Sequence, residues 1–342
     1  MAVDLRFIAT GAKRVVDSRP LYAQIVVTAD CNLDCAYYDE YSPGAPTIPA
    51  AVLKSRIDAL DGLGVRVYDF LGGEPLTGPD IAALVRHVKS KRHGSNVVTI
   101  ITNGLLLSGA GIAALNDAGL DFMQVSVDSP TPTPSSKKSL ESVLPRLHLL
   151  AREARFKVEI QTTLNDESCE TYEAFRALAN GLPFDFGFSI MHDRSGRIAI
   201  RGEKFLNLLS RYGVFEGVNF YGDHLREMLR GDFSRPWKCL AGFKVLYVNA
   251  GGEIQWCSQQ REYRFPLERM TLGELRNNNQ HKPCEAGCAL SCVRMVSHTV
   301  GEPLKSLGAS LRMAVIGVKA ALHSEKGPSR PDDRLAQETH SW

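Results

Sequence analysis

Eight cysteines occur in the 342 residues, and their spacing is uneven. Cys31 and Cys35 lie close together near the start, Cys239, Cys257, Cys284, Cys288 and Cys292 crowd the last third, and Cys169 stands alone on an expected helix as a packed thiol. Eight are few for a disulfide scaffold of this length, and a reducing compartment keeps them as thiols. Thiols clustered in this way point to metal or redox chemistry. For Cys31 and Cys35 the plainer alternative is a pair of buried structural thiols. For the C-terminal group it is a structural zinc site with four thiolate ligands.

Composition sets the limits within which such sites must be built. With 44% apolar and 23% charged residues the chain is neither a disordered tail nor a collagen-like rod. Its size predicts one large domain and a smaller one around a sizeable core. Forty basic against 38 acidic residues, net +2, give no field that argues for nucleic acid. Met1 to Pro20 mixes Asp4, Arg6, Lys13, Arg14 and Asp17 with short apolar runs, unlike a secretory signal, so a cytoplasmic location is expected. The uncharged stretch Gly94 to Asn116 is broken by Asn96, Thr99, Thr102, Asn103, Gly104 and Ser108, and reads as a buried strand, a turn and a helix start.

The elements that must position the cysteines alternate strand and helix. Strands are expected at Gln24 to Thr28, Arg66 to Leu71, Val97 to Thr102, Phe122 to Val127, Lys157 to Thr163 and Phe184 to Met191. Helical spacing marks Ala50 to Leu63, Pro79 to Lys91, Gly111 to Ala118, Lys138 to Arg152 and Ser168 to Ala179, the last capped by Asp166 or Ser168. Six such units predict an α/β fold, a partial (β/α)6 barrel of TIM type, two repeats short of the full eight. Apolar runs such as Val97 to Ile101 should then be covered on both faces. The site belongs at the C-terminal strand ends, within 28–41, 71–75, 102–105, 126–130, 162–165 and 192–196. His192 and Asp193 there are open to a substrate role or to that of an ordinary loop pair. The expected organisation is an N-terminal extension 1–21, the barrel 22–200, a linking helical segment 201–236, a small Cys-rich domain 237–300, and an amphipathic helix with a polar tail 301–342.

The loop after the first expected strand reads Cys31-Asn32-Leu33-Asp34-Cys35-Ala36-Tyr37-Tyr38. It resembles the cluster loop of the radical S-adenosylmethionine (SAM) superfamily, whose pattern is C-x-x-x-C-x-aromatic-C. Cys31, Cys35 and Tyr37 match, and Tyr38 stands where the third cysteine belongs. Gly72-Gly73-Glu74-Pro75 resembles the segment that holds the methionine amino group of SAM, with glycines that let backbone approach a ligand and Glu74 as acceptor for an ammonium. Thr102-Asn103-Gly104 and Ser126-Val127-Asp128 resemble the family's contacts from the third and fourth strands. The resemblance implies SAM as a cofactor, touched by Tyr37, Gly72, Gly73, Glu74, Pro75, Asn103, Ser126 and Asp128. It also implies a [4Fe-4S] cluster at Cys31 and Cys35 whose open iron chelates SAM, so that an electron from a donor such as flavodoxin or ferredoxin releases a 5′-deoxyadenosyl radical onto a small-molecule or peptide substrate. Tyr38 impairs that cluster, since a phenol of pKa about 10 is a poor substitute for a thiolate.

From Cys239 the chain runs twelve residues to Gly252 and four more to Cys257, with Cys284, Cys288 and Cys292 following. This is similar to the auxiliary-cluster region of family members with SPASM or twitch domains. Val245 to Val248 and Glu253 to Trp256 read as a hairpin about Gly251-Gly252. Five cysteines exceed the four that one cube needs and fall short of about eight for two, so the resemblance implies one auxiliary Fe–S cluster, expected to be [4Fe-4S]. A non-catalytic protein that keeps this fold and metal for scaffolding or electron transfer stays open. Leu304, Leu307, Leu311, Val315, Val318 and Leu322 form a helical stripe beside Lys305, Arg312 and Lys319; it suits core packing, or weak membrane-surface contact through residues 304–322.

Overall fold

The computed structural model describes residues 17–37, 41–215 and 220–301. Tyr38, the stripe over 304–322 and the polar tail lie outside these residues, as does most of the N-terminal extension. Six parallel strands stand side by side in chain order: β1 Tyr22–Thr28, β2 Val67–Gly72, β3 Val97–Thr102, β4 Phe122–Ser126, β5 Lys157–Leu164 and β6 Asp185–Ile190. Between them run α1 Ala50–Leu63, α2 Ile81–Lys89, α3 Gly109–Ala118, α4 Leu140–Glu153 and α5 Asp166–Leu178. This is the expected partial barrel.

Local chemistry fixes the helix ends. Gly64 closes α1 in a left-handed conformation, and the side chains of Asp80, Ser108 and Ser139 accept from the first turns of α2, α3 and α4. For α5 the cap is Asn165, one residue before the expected pair, with Ser168 completing a reciprocal capping box. Leu53, Ile57, Leu84, Val85, Ile112, Leu147 and Phe175 carry the helices onto Ile25, Phe70, Ile100, Val125 and Ile160 in one continuous core.

Coverage of both strand faces, as expected, holds for β2, whose six residues are all buried. It does not hold for β3 to β5, where buried and half-buried residues alternate. A six-stranded arc does not close, so their inner faces line a lumen instead of a packed interior. That inner face carries polar residues, Gln124 and Ser126 on β4, Glu159, Gln161 and Thr163 on β5 and Ser189 on β6, beside an apolar cluster of Val26, Leu71 and Tyr247 with Ile101.

Beyond β6 come α6 Glu203–Arg211 and α7 Phe220–Leu229, then β7 Val245–Val248, β8 Glu253–Gln255, β9 Phe265–Pro266, α8 Leu272–Asn277 and α9 Ser291–Gly301. β7 and β8 form the expected hairpin. β7 also pairs in parallel with β1, Tyr22 opposite Val245, so the Cys-rich segment extends the barrel sheet to nine strands. No helix among the described residues is long and apolar enough to cross a membrane.

Candidate functional site

The loop that follows β1 is fastened to three neighbouring strand ends. From β2, Gly73 N–H donates to Thr28 O at 3.0 Å and Glu74 N–H to Asp30 O at 2.8 Å. A Cβ on Gly73 would stand 2.1 Å from Asp30 O, and one on Gly72, whose φ is +154°, 2.1 Å from Thr28 O. The glycines therefore serve a backbone crossing between two loops, a closer approach than any side chain allows. Pro75 is buried and opens a 3-10 turn at Pro75–Thr77.

Glu74 is held by the protein's own donors. Only 1% exposed, its carboxylate accepts from Leu76 N–H at 3.0 Å, Thr102 Oγ1 at 2.6 Å and Asn103 N–H at 2.7 Å. Three internal donors occupy the group that the sequence suggested for an ammonium, and they bind the β2 loop to the end of β3. Burial raises its pKa despite these donors. Asn103 in turn donates from Nδ2 to Asn32 Oδ1 in the cysteine loop at 2.8 Å.

From β4, Asp128 does the same for Tyr37. The Tyr37 hydroxyl donates to Asp128 Oδ2 at 2.7 Å and accepts from Lys138 Nζ at 3.0 Å, while the ammonium lies 5.1 Å from the ring centroid. Ser136 Oγ at 2.6 Å and Thr163 N–H at 2.8 Å complete the Asp128 carboxylate. Burial holds the Tyr37 phenol well above its usual pKa. Burial also opposes the Lys138 charge, but Tyr37, Asp128 and Cys35 outweigh it and raise that pKa. Ser126 is half-buried on the lumen side, in register with Gln161. Lys138, Ser136 and Asn32 escaped the sequence reading because polar residues at a helix start or in a loop look solvated until the neighbouring strand ends are known.

Cys31 Sγ accepts from Leu33 N–H and buried Cys35 Sγ from Lys137 N–H, each at 3.4 Å. These are two thiols with backbone donors aimed at them. A SAM-binding cube needs three, and the third position is Tyr38. The residues present therefore do not fit a fully ligated cluster at this loop.

The C-terminal thiols form a second group. Cys239, Cys257 and Cys288 are buried; burial pushes Cys239 up to about 12, and Cys257 and Cys284 add to it. Burial likewise raises Cys288, with Cys239 and Cys257 adding to that rise, and raises Cys284. Gln260 N–H donates to Cys257 Sγ at 3.4 Å, and backbone N–H groups at Ala241 and Leu290 reach Cys239 and Cys288. Such N–H···S bonds favour thiolate ligands. Among the described residues no three Cys, His, Asp or Glu side chains converge as they would on a single metal ion. Cys292 differs: burial takes it to about 12, with Asp69 the next contributor, and its Sγ lies 3.7 Å from Gln24 Oε1. Asp69 is itself buried and takes hydrogen bonds from Tyr22, Gln24 and Thr99 on the inner faces of β1 to β3.

His192 and Asp193 lie in the loop after β6, with His192 Nδ1 3.0 Å from Asp193 O. Asp193 Oδ1 accepts from Ser195 N–H, Ser195 Oγ and Arg197 N–H, closing a turn that bridges to Cys288 through Arg197.

A partial parallel barrel with a two-cysteine loop at the end of its first strand defines an α/β enzyme scaffold with its site at the strand ends. Residues 25–178 match the model of the radical SAM superfamily, so this part of the chain is a radical SAM domain. A GTP 3′,8-cyclase of Chlorobaculum tepidum is 41% identical over 110 residues, which is 32% of this chain and 33% of that protein. The Aquifex aeolicus GTP 3′,8-cyclase is 28% identical over 218 residues, covering 58% of this chain and 67% of that protein. The chain spans about a third of the length of the Chlorobaculum cyclase and of a GTP 3′,8-cyclase of Lactiplantibacillus plantarum. Streptococcus suis SuiB bound to its precursor peptide SuiA superposes with a TM-score of 0.58 at 16% identity, over 83% of this chain and 70% of that one. anSMEcpe with bound AdoMet and the Cp18Cys peptide gives 0.54 at 15%, over 85% and 99%.

Proposed function

We propose that this chain is built for radical SAM chemistry on an organic or peptide substrate held in the polar lumen, that Tyr38 leaves its SAM cluster with two thiol ligands, and that Cys239, Cys257, Cys284 and Cys288 hold one auxiliary [4Fe-4S] cluster. The observation that carries this reading is the fastening of residues 28–37, from the end of β1 through the cysteine loop, to the ends of β2, β3 and β4 by Gly73, Asn103 and Asp128. A peptide is favoured because similarity to SuiB and anSMEcpe extends over more than four fifths of the chain, whereas the match to the Chlorobaculum cyclase covers a third. An auxiliary cluster supplies one-electron chemistry; the chain's own part is to hold and bury it. Eight free cysteines suit a reducing, cytoplasmic setting with a small electron-carrier protein as donor.

The decisive experiment is anaerobic reconstitution of the chain and of Tyr38→Cys. The variant should gain about four irons per chain and form 5′-deoxyadenosine under a strong reductant, and the chain as written should show little of either. Equal SAM cleavage by both would overturn the role given to Tyr38. No cleavage by a variant that has gained the irons would favour the second reading, a non-catalytic scaffold, which the Tyr38 position itself suggests. Cys239→Ala with Cys257→Ala should remove most of the auxiliary iron, while Cys292→Ser should keep it.

A further inference from the structure

Two cations are buried against the C-terminal thiols. Lys282 is 4% exposed, and its ammonium donates to Cys239 O at 3.2 Å, Asn278 O at 3.0 Å and Gln280 O at 3.2 Å. It also lies 5.2 Å from the Trp256 ring centroid. Arg294 is 0% exposed, donates from Nη1 to Cys288 O at 3.3 Å and lies 5.2 Å from the Trp237 ring centroid. Each cation is thus bonded to the main chain of one of the four cysteines, and an aromatic ring faces it.

Glu285 brings negative charge near Lys282 and shares it with other donors. Glu285 Oε1 accepts from Cys239 N–H at 2.8 Å and Lys282 N–H at 3.0 Å, and Oε2 pairs with His281 at 2.7 Å. Burying an ammonium on carbonyl dipoles is expensive in a low-dielectric interior unless negative charge stands close by. Four thiolates around a cube would add to it beside Cys239 and Cys288, as a dianion when oxidised and a trianion when reduced.

We infer that Lys282 and Arg294 are charge partners of the auxiliary cluster which raise its reduction potential. The inference rests on the auxiliary-cluster assignment above. The step is uptake of one electron by the cluster from an added low-potential reductant, with no bond made or broken. Fixed positive charge stabilises the more negative, reduced state, and more strongly inside the protein than in water.

The test is a redox titration of anaerobically reconstituted protein, followed by electron paramagnetic resonance, with iron and sulfide measured on the same samples. Lys282→Met keeps the aliphatic stem and should retain iron while its midpoint potential moves negative; Lys282→Arg should restore the midpoint. Arg294→Lys, which preserves the charge, should leave the midpoint near that of the parent. A Lys282→Met protein with full iron and an unchanged midpoint would overturn the inference, as would a midpoint that Lys282→Arg fails to restore. If Lys282→Met does not fold, Lys282→Gln is titrated instead and judged by the same two results. Failure of the underlying assignment looks different: the parent chain itself then binds zinc, or no iron at its C-terminal cysteines.

Discussion

Glu74 collects three donors from two strands, so its substitution is felt beyond its own loop. Glu74→Gln replaces one acceptor oxygen by an NH2 that must face either Asn103 N–H or the pair from Leu76 and Thr102. A buried donor left facing a donor costs about 1–3 kcal/mol. Urea unfolding should show that loss, with an unchanged slope against denaturant. Gly73→Ala should lose a similar ~1–3 kcal/mol, because the added methyl collides with the Asp30 carbonyl and the loop must move; its midpoint in the same titration checks this. At this scale the sequence revealed which residues gather at the strand ends but not what each of them does. Glu74, Asn103 and Asp128 read as ligand contacts because residue type is visible in a sequence, whereas their bonds to Thr102, Asn32 and Tyr37 depend on how the strand ends meet. Lys282 and Arg294 escaped for the same reason, since a cation buried by tertiary packing is indistinguishable in sequence from one on a solvated face.

Helices and strands were far more legible than roles. α1 runs over the expected residues and β3 over the expected six, because apolar spacing and terminal Ser, Asp and Gly signals agree there. What no local pattern contains is the pairing of β7 with β1, nor the half-buried inner faces of β3 to β5, which follow from the barrel being open. α7 carries another feature that only packing creates. His224 is buried, and desolvation, with Arg294, His298 and Arg235 nearby, lowers its pKa to about 3. A group depressed in the folded state contributes stability that is fully present above its unfolded pKa of about 6.5 and is lost as pH falls towards the folded value. Between pH 7 and 5.5 that amounts to about 1.4 kcal/mol, since about one pH unit of the interval lies below 6.5. Thermal or urea unfolding of the chain and of His224→Gln at both pH values should show the difference shrinking by that amount in the variant.

Across the whole molecule one sheet joins the strand-end site to the thiol-rich segment, and Cys292 faces the Gln24 and Asp69 side chains of the barrel's own strands. A segment attached in this way has only the short strands β7 to β9 of its own to fold around. Expression of residues 201–342 alone should therefore give little ordered structure and little reconstituted iron, as circular dichroism and iron analysis would show. The β1 to β7 pairing has a further consequence during synthesis. β1 leaves the ribosome before β2 to β6, and its second neighbour, β7, follows all of them, so one row of its N–H and C=O groups stays bare while the rest of the barrel strands are translated. An unpaired strand edge is a template for other chains, and the nascent protein is exposed to mispairing for most of its elongation. Chaperone supply and translation rate should therefore govern soluble yield more than the stability of the finished fold does.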